Sequence, residues 1–105
     1  MINEVVHNGR DNAIWVGVRV ARELIDLTEV TKMELLMNDQ VYSSEVFGSG
    51  EAQVFDWTQT QGTGVLILRL GNLSIPVGFY NAKLVIYSVD NPNGVIWDTM
   101  RIRFK

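Results

Sequence analysis

The stretch from Tyr80 to Phe104 limits the possible folds of this 105-residue chain more than any other segment. Large apolar and aromatic residues recur at alternate positions from Tyr80 to Tyr87, and this period of two is typical of a β-strand. A second alternating run follows Asp90-Asn91-Pro92-Asn93-Gly94. Proline suits the second position of a type I turn, and Gly94 can adopt the positive φ of a following bulge. The segment therefore predicts a long β-hairpin.

The turn also predicts how the two strands of this hairpin pair. A loop of three residues, Pro92 to Gly94, would place Asn91 opposite Val95 and set the register. A shift by one residue would bring Leu84 opposite Arg101, which the apolar pattern disfavours. The predicted facing pairs are Val89 with Trp97, Tyr87 with Thr99, Ile86 with Met100, Leu84 with Ile102, and Ala82 with Phe104.

The entry into the hairpin is typical of immunoglobulin-like sandwiches. Gly78-Phe79-Tyr80 follows Pro76, and in such sandwiches a tyrosine at the start of the penultimate strand bonds back to the preceding loop. An ordinary buried tyrosine at a strand start is the alternative. Turn signals elsewhere divide the chain into about seven or eight short strands. We predict an all-β fold, an immunoglobulin-like antiparallel β-sandwich, formed by one domain over residues 1–105.

Local patterns predict the other elements. A tight turn is predicted at Asn38-Asp39, with the return strand starting at Val41, and Asp26 with Thr28 can close a local turn. The N-terminal segment around His7 is predicted to be flexible. Further strands are predicted at residues 13–22, 31–37, 54–57 and 65–70, an irregular segment at 43–52 and a polar loop at 59–64.

Composition argues against several classes of function. The chain has no cysteine and one histidine, so neither a disulfide, a thiolate metal site nor a two-histidine metal site can form within it. No nucleophile stands near His7, and we predict no enzymatic activity, no cofactor and no metal. A net charge of −3 argues against nucleic acid as the partner. No apolar run reaches the roughly 20 residues of a membrane span, and no signal peptide is visible, so we expect cytoplasmic synthesis and no membrane partner.

The side of the hairpin that faces away from the core supplies the candidate contact surface. Aromatic residues on such a face are usually covered by something, either a partner protein or, in this chain, the loop at 43–53 or the N-terminal segment. The arginines of the last strand form either a solvated edge or a seam for an acidic partner, which could be the acidic half of another copy. The candidate partner-binding residues are Val85, Tyr87, Val89, Trp97, Thr99, Arg101 and Arg103.

Two segments resemble small immunoglobulin-like proteins of bacteriophage virions, including the N-terminal domains of baseplate upper proteins. One runs from Ile25-Asp26-Leu27-Thr28 to Leu35, although Glu29 stands where such proteins often carry glycine. The other comprises Leu68-x-Leu70-Gly71, Pro76-x-Gly78-x-Tyr80 and Asn91-Pro92-x-Gly94. The resemblance implies a non-enzymatic structural component of a phage or prophage virion. It would act by contact with itself, as a homo-oligomer, or with another virion protein.

Two other functions are compatible with the same residues. Carbohydrate binding would use surface aromatics, either Trp97 with Thr99 or Trp15 with Arg19, because sugars stack on aromatic platforms. A chaperone or inhibitor would add a strand to a partner through an exposed sheet edge.

Overall fold

The computed structural model describes residues 2–10, 12–20, 23–24, 27, 29–50, 53–57, 64–73 and 75–105. The described part of the chain is mostly β-structure, with one short α-helix and one 3₁₀ helix, which agrees with the predicted all-β class. Its elements are β1 (Ile2–Val6), β2 (Ile14–Gly17), β3 (Arg19–Val20), β4 (Glu23–Leu24), β5 (Val30–Met37), β6 (Gln40–Ser43), α1 (Ser44–Phe47), β7 (Phe55–Asp56), β8 (Val65–Leu68), a 3₁₀ helix (Leu70–Asn72), β9 (Gly78–Ser88) and β10 (Val95–Phe104).

The described strands form two main sheets and a small ribbon. The larger sheet has the order β1-β10-β9-β5-β6, the smaller sheet has the order β2-β8-β7, and β3 pairs with β4. β1 runs parallel to β10, whereas every other pair is antiparallel. The prediction of a purely antiparallel arrangement with a flexible N-terminal segment was therefore wrong. Parallel neighbours need a connection that crosses back, and here nearly the whole chain provides it.

Residues from both sheets meet in one hydrophobic core. In β5 the side chains of Met33, Leu35 and Met37 are buried, while the residues between them are more exposed, as the strand alternation requires. Phe104 of the larger sheet and Phe55 of the smaller sheet belong to the same buried cluster and are fully buried.

The hairpin of β5 and β6 forms as predicted. Met37 pairs with Gln40, so the loop consists of Asn38 and Asp39 alone. Both residues have positive φ, 55° and 57°, which is the backbone of the two-residue turn that matches strand twist. Asparagine and aspartate tolerate this conformation better than most residues, and the sequence signal was therefore strong.

The hairpin of β9 and β10 forms, but its predicted register was wrong. Met100 lies opposite Ala82 instead of Ile86, a displacement of four positions. Ser88 and Asn91 exchange two backbone hydrogen bonds, so the chain turns once before the turn that Gly94 closes by donating to Asn91 O at 3.1 Å. An even displacement leaves the same residues facing the core, and the period of two could not distinguish these registers.

Tyr80 makes the hydrogen bond expected of it. Its hydroxyl donates to Pro76 O at 2.7 Å, and its ring meets the Phe104 ring edge-on at 5.7 Å between centroids. The phenol therefore holds the loop that precedes β9 against the strand.

Replacing Tyr80 by phenylalanine is expected to lower the free energy of unfolding by about 1 kcal/mol, the usual net value of one hydrogen bond. Tyr42→Phe is the matched control, because within the described part of the chain the Tyr42 hydroxyl has no hydrogen-bond partner. Urea denaturation of both variants measures the difference. Equal losses would contradict a stabilising role for the Tyr80 bond.

Several predicted element boundaries differ from those of the structure. Residues 43–52 were predicted to be irregular, yet α1 forms because Ser43 caps it, with its Oγ accepting from Glu45 N at 3.2 Å. The predicted strand at 13–22 is interrupted at Val18, whose N–H donates to Gly64 O. The strand predicted at 65–70 ends at Leu68. The turn at Asp26 and Thr28 and the loop at 59–63 lie outside the described residues.

Candidate functional site

The five-stranded sheet has an outer face, defined as the side that faces away from the core. Strand register arranges its residues in rows: Val5, Arg103 and Phe79 form one row across β1, β10 and β9. The next rows contain Asn3, Arg101 and Asn81, then Thr99, Lys83 and Leu36, and further along Val85 and Glu34.

One end of the outer face is closed by the hairpin's own loop. A side-chain carbon built on Gly94 would lie 2.7 Å from Val85 Cγ1 and 2.8 Å from the Tyr87 ring, so the loop backbone packs directly on both side chains. Gly94 has a φ of 81°, which also favours glycine. Val85 is consequently buried. The sequence had offered the loop at 43–53 or the N-terminal segment as one of two alternative covers, whereas the cover seen among the described residues is the loop that contains Gly94.

Tyr87 is further held by charged neighbours. Its hydroxyl donates a hydrogen bond to Glu34, and Lys32 Nζ lies 4.4 Å from its ring centroid. Lys32 also pairs with Glu45 at 3.4 Å. The hydrogen bond to Glu34, burial and the nearby negative charge raise the pKa of Tyr87. The Tyr87 hydroxyl is therefore already engaged in a hydrogen bond within the domain.

The apolar patch predicted from the sequence does not form as one surface. The bulge in β10 between Ile96 and Asp98 displaces Trp97 from the ladder, and the indole is half-buried against the core. A bulge commonly redirects a side chain in this way. Val89 is 71% exposed, in the loop beyond β9. Val85, Tyr87, Val89 and Trp97 thus differ in location and burial.

The other end of the outer face is open and carries an aromatic side chain between two arginines. Phe79 is 60% exposed. The guanidinium carbons of Arg101 and Arg103 lie 5.1 Å and 5.2 Å from its ring centroid. We call these three residues the Phe79 cluster. An arginine within about 6 Å of an aromatic centroid makes a favourable cation–π contact, so the ring orients both cations.

The Phe79 cluster borders a shallow depression of about 550 Å³. β1 forms its other wall through Asn3, Glu4 and Val5. Within the described part of the chain neither arginine of the cluster forms an ion pair, and Glu4 is the one acidic residue lining the depression. The depression is therefore locally positive on a chain whose net charge is −3.

Both arginines were predicted from the sequence as partner-binding residues, whereas Phe79 was not. The signal was present, because the alternation that turns Lys83 and Tyr87 outward also turns Phe79 outward. Gly78-Phe79-Tyr80 was interpreted only as the start of a tyrosine corner, and that interpretation gives a role to Tyr80 and none to Phe79. Among the other candidates, Thr99 lies opposite Lys83 between the closed and open ends of the face.

Among the residues that the structure describes, no three His, Asp or Glu side chains are grouped so that they could hold a metal ion. In the same residues, no helix has the length and apolar character needed to cross a membrane. No protein-family model, curated protein or solved structure matches the chain.

Proposed function

We propose that this chain is a non-enzymatic assembly domain that binds protein through the open end of the outer face. The observation that carries the proposal is the Phe79 cluster, an exposed aromatic ring flanked by two arginines that form no ion pair with any residue the structure describes. Aromatic residues and arginine dominate the energetics of protein interfaces. A ring that is already oriented by its neighbours loses little conformational entropy on binding.

We further propose that the fold is an immunoglobulin-like β-sandwich. In variable-type domains the strands G, F, C and C′ are neighbours in one sheet, and B, E and D are neighbours in the other. The orders β10-β9-β5-β6 and β2-β8-β7 fit this arrangement. The bond from Tyr80 to Pro76 fits the tyrosine corner of such domains. Both observations support the assignment.

The biological setting that we propose is a bacteriophage or prophage particle, with the chain as a structural component. Support comes from the resemblance of the segment around Leu27 to Leu35 and of the C-terminal hairpin to small virion proteins. In this setting the partner is a second copy of the chain or another virion protein.

Self-association should depend on the Phe79 cluster. We expect Phe79→Ala to weaken association about tenfold or more, because truncating a central interface aromatic costs about 2 kcal/mol. Trp15→Ala is the matched control, since Trp15 is 64% exposed but lies in β2 of the other sheet. Light scattering over a concentration series measures both. A wild type that stays monomeric would contradict self-association, and equal effects of the two variants would contradict the assigned surface.

Carbohydrate binding is a second candidate, and the exposure of Trp15 is the observation that favours it. Trp97, the other candidate platform, packs against the core. Quenching of tryptophan fluorescence by a glycan, abolished by Trp15→Ala, would support this function. A flat response across a panel of polysaccharides would exclude it for the glycans tested.

A further inference from the structure

We propose that the open end of the outer face binds an extended acidic segment of a partner protein, which adds to the larger sheet as a strand beside β1. Carboxylates of the added segment would pair with Arg101 and Arg103. This inference rests on the proposed function as a protein-binding domain and specifies the chemistry of the partner. Three observations on the described residues carry it: β1 has no second neighbouring strand, the two arginines form no ion pair, and the depression is lined by β1 on one side and by the Phe79 cluster on the other.

The backbone of β1 offers hydrogen-bonding groups at the sheet edge. β1 is the first strand of the larger sheet, and no second described strand pairs with it. Lys105 N–H donates to Val6 O, and Asn8 N–H donates to Lys105 O. In a parallel ladder this pattern engages the even-numbered residues of β1, so the N–H and C=O groups of Asn3 and Val5 point to the open edge. An extended peptide could satisfy all four groups.

The charges on the outer face favour an acidic occupant. Arg101 and Arg103 both approach the Phe79 ring, which brings two positive charges close together, and neither forms an ion pair with a described residue. A guanidinium stacked on a ring keeps its N–H groups free at its edges, where a carboxylate can accept two hydrogen bonds. An incoming carboxylate therefore relieves repulsion and forms charge-assisted bonds at the same time.

The spacing of the two arginines matches that of a strand. They occupy alternate positions in β10, so both side chains lie on one face about 7 Å apart along the strand. Alternate residues of an added strand have the same spacing. Such a strand would lie two strand spacings from β10, about 9–10 Å, a gap that an arginine and a glutamate side chain span together. The expected recognition pattern is thus an acidic residue at every second position.

The experiment measures binding of two fluorescein-labelled octapeptides to the full chain by fluorescence anisotropy. One peptide alternates valine with glutamate, and the other alternates valine with glutamine. We expect the glutamate peptide to bind about tenfold or more tightly than the glutamine peptide, with an affinity that falls as salt rises. The double variant Arg101→Gln/Arg103→Gln is expected to remove this preference, and Glu4→Gln is expected to strengthen binding.

Strand addition is tested by a proline that removes an outward N–H. Val5→Pro should weaken binding about tenfold, whereas Val5→Ala keeps the N–H and should bind close to wild type. Val41→Pro is the matched control: Val41 pairs with Leu36 next to the closing pair of a two-residue hairpin, so its N–H points to the opposite edge of the sheet. Denaturation midpoints of all variants identify any that fail to fold.

Hydrogen exchange provides a readout that does not depend on substitution. Bound glutamate peptide should slow exchange of the Asn3 and Val5 amides but leave the Val41 amide unchanged. The proposal would be overturned if both peptides bound with equal affinity, or if Val5→Pro left the affinity for the glutamate peptide unchanged. It would also be overturned if a sulfated polysaccharide bound as tightly as the glutamate peptide and its affinity were unchanged by Val5→Pro. If these results occur while light scattering shows association that depends on Phe79, the proposed function stands and only the acidic strand is excluded.

Discussion

Replacing Asp56 by asparagine is expected to lower the free energy of unfolding by about 3 kcal/mol. Asp56 is fully buried in β7, and its Oδ2 accepts a hydrogen bond from Arg69 Nη1 at 2.9 Å. Asparagine keeps the size of the side chain but removes the charge, which leaves the guanidinium without its ionic partner. Arg69 is 27% exposed and also donates to Gln53 O, so the loss should lie at the lower end of the range for broken buried pairs.

The measurement is urea denaturation followed by tryptophan fluorescence, for which the buried Trp57 is a suitable reporter. Asp90→Asn is the control, because Asp90 is an exposed aspartate in the hairpin loop and should change stability by less than about 0.5 kcal/mol. A loss for Asp56→Asn as small as that for Asp90→Asn would show that the ion pair does not stabilise the fold.

Gly71→Ala is expected to cost about 3 kcal/mol, at the upper end of the range for overpacking. The added carbon would lie 2.1 Å from Arg10 O and 2.8 Å from Asn12 Nδ2. The first of these is a backbone atom and cannot rotate away. Gly71 O also accepts a hydrogen bond from Gly9 N at 2.8 Å, so any displacement breaks the contact that joins the segment after β1 to the 3₁₀ helix.

Gly9→Ala separates this steric effect from backbone strain. Gly9 has a φ of 72°, but no atom of the described residues lies within 4 Å of the carbon that alanine would add. Its cost should therefore be about 1 kcal/mol, the penalty for the left-handed conformation alone. Thermal or urea unfolding of both variants measures the difference. A Gly71→Ala variant as stable as Gly9→Ala would contradict the close approach of the two loops.

Sequence reasoning succeeded where local chemistry decides the structure. Asn38 and Asp39 suit a two-residue turn, and Tyr80 carries a short-range bond to Pro76. The hairpin of β9 and β10 shows the limit of such reasoning. Alternation predicts which residues face the core, but several registers share the same alternation. The observed register differs from the predicted one because Ser88 and Asn91 form backbone hydrogen bonds that add a turn.

The candidate site was predictable only in part. Arg101 and Arg103 were identified because their charge and alternate spacing are visible in the sequence. The neighbours that give them a role, Phe79 and Val5, come from strands at opposite ends of the chain. Parallel pairing between β1 and β10 brings these residues into one row, and no local pattern could reveal that pairing. Long-range pairing likewise decides that Gly94 covers Val85 and Tyr87.

The pairing of the first strand with the last has a consequence for biosynthesis. A ribosome delivers β1 long before β10, so the nascent chain must hold β1 without its neighbour until β10 has been synthesised. Contacts of such high sequence separation form late and slowly. The wall that Val5 adds to the depression exists only after β10 has been made and has paired with β1. Nascent chains that have not yet reached β10 would consequently lack the complete binding surface, which limits premature association during translation.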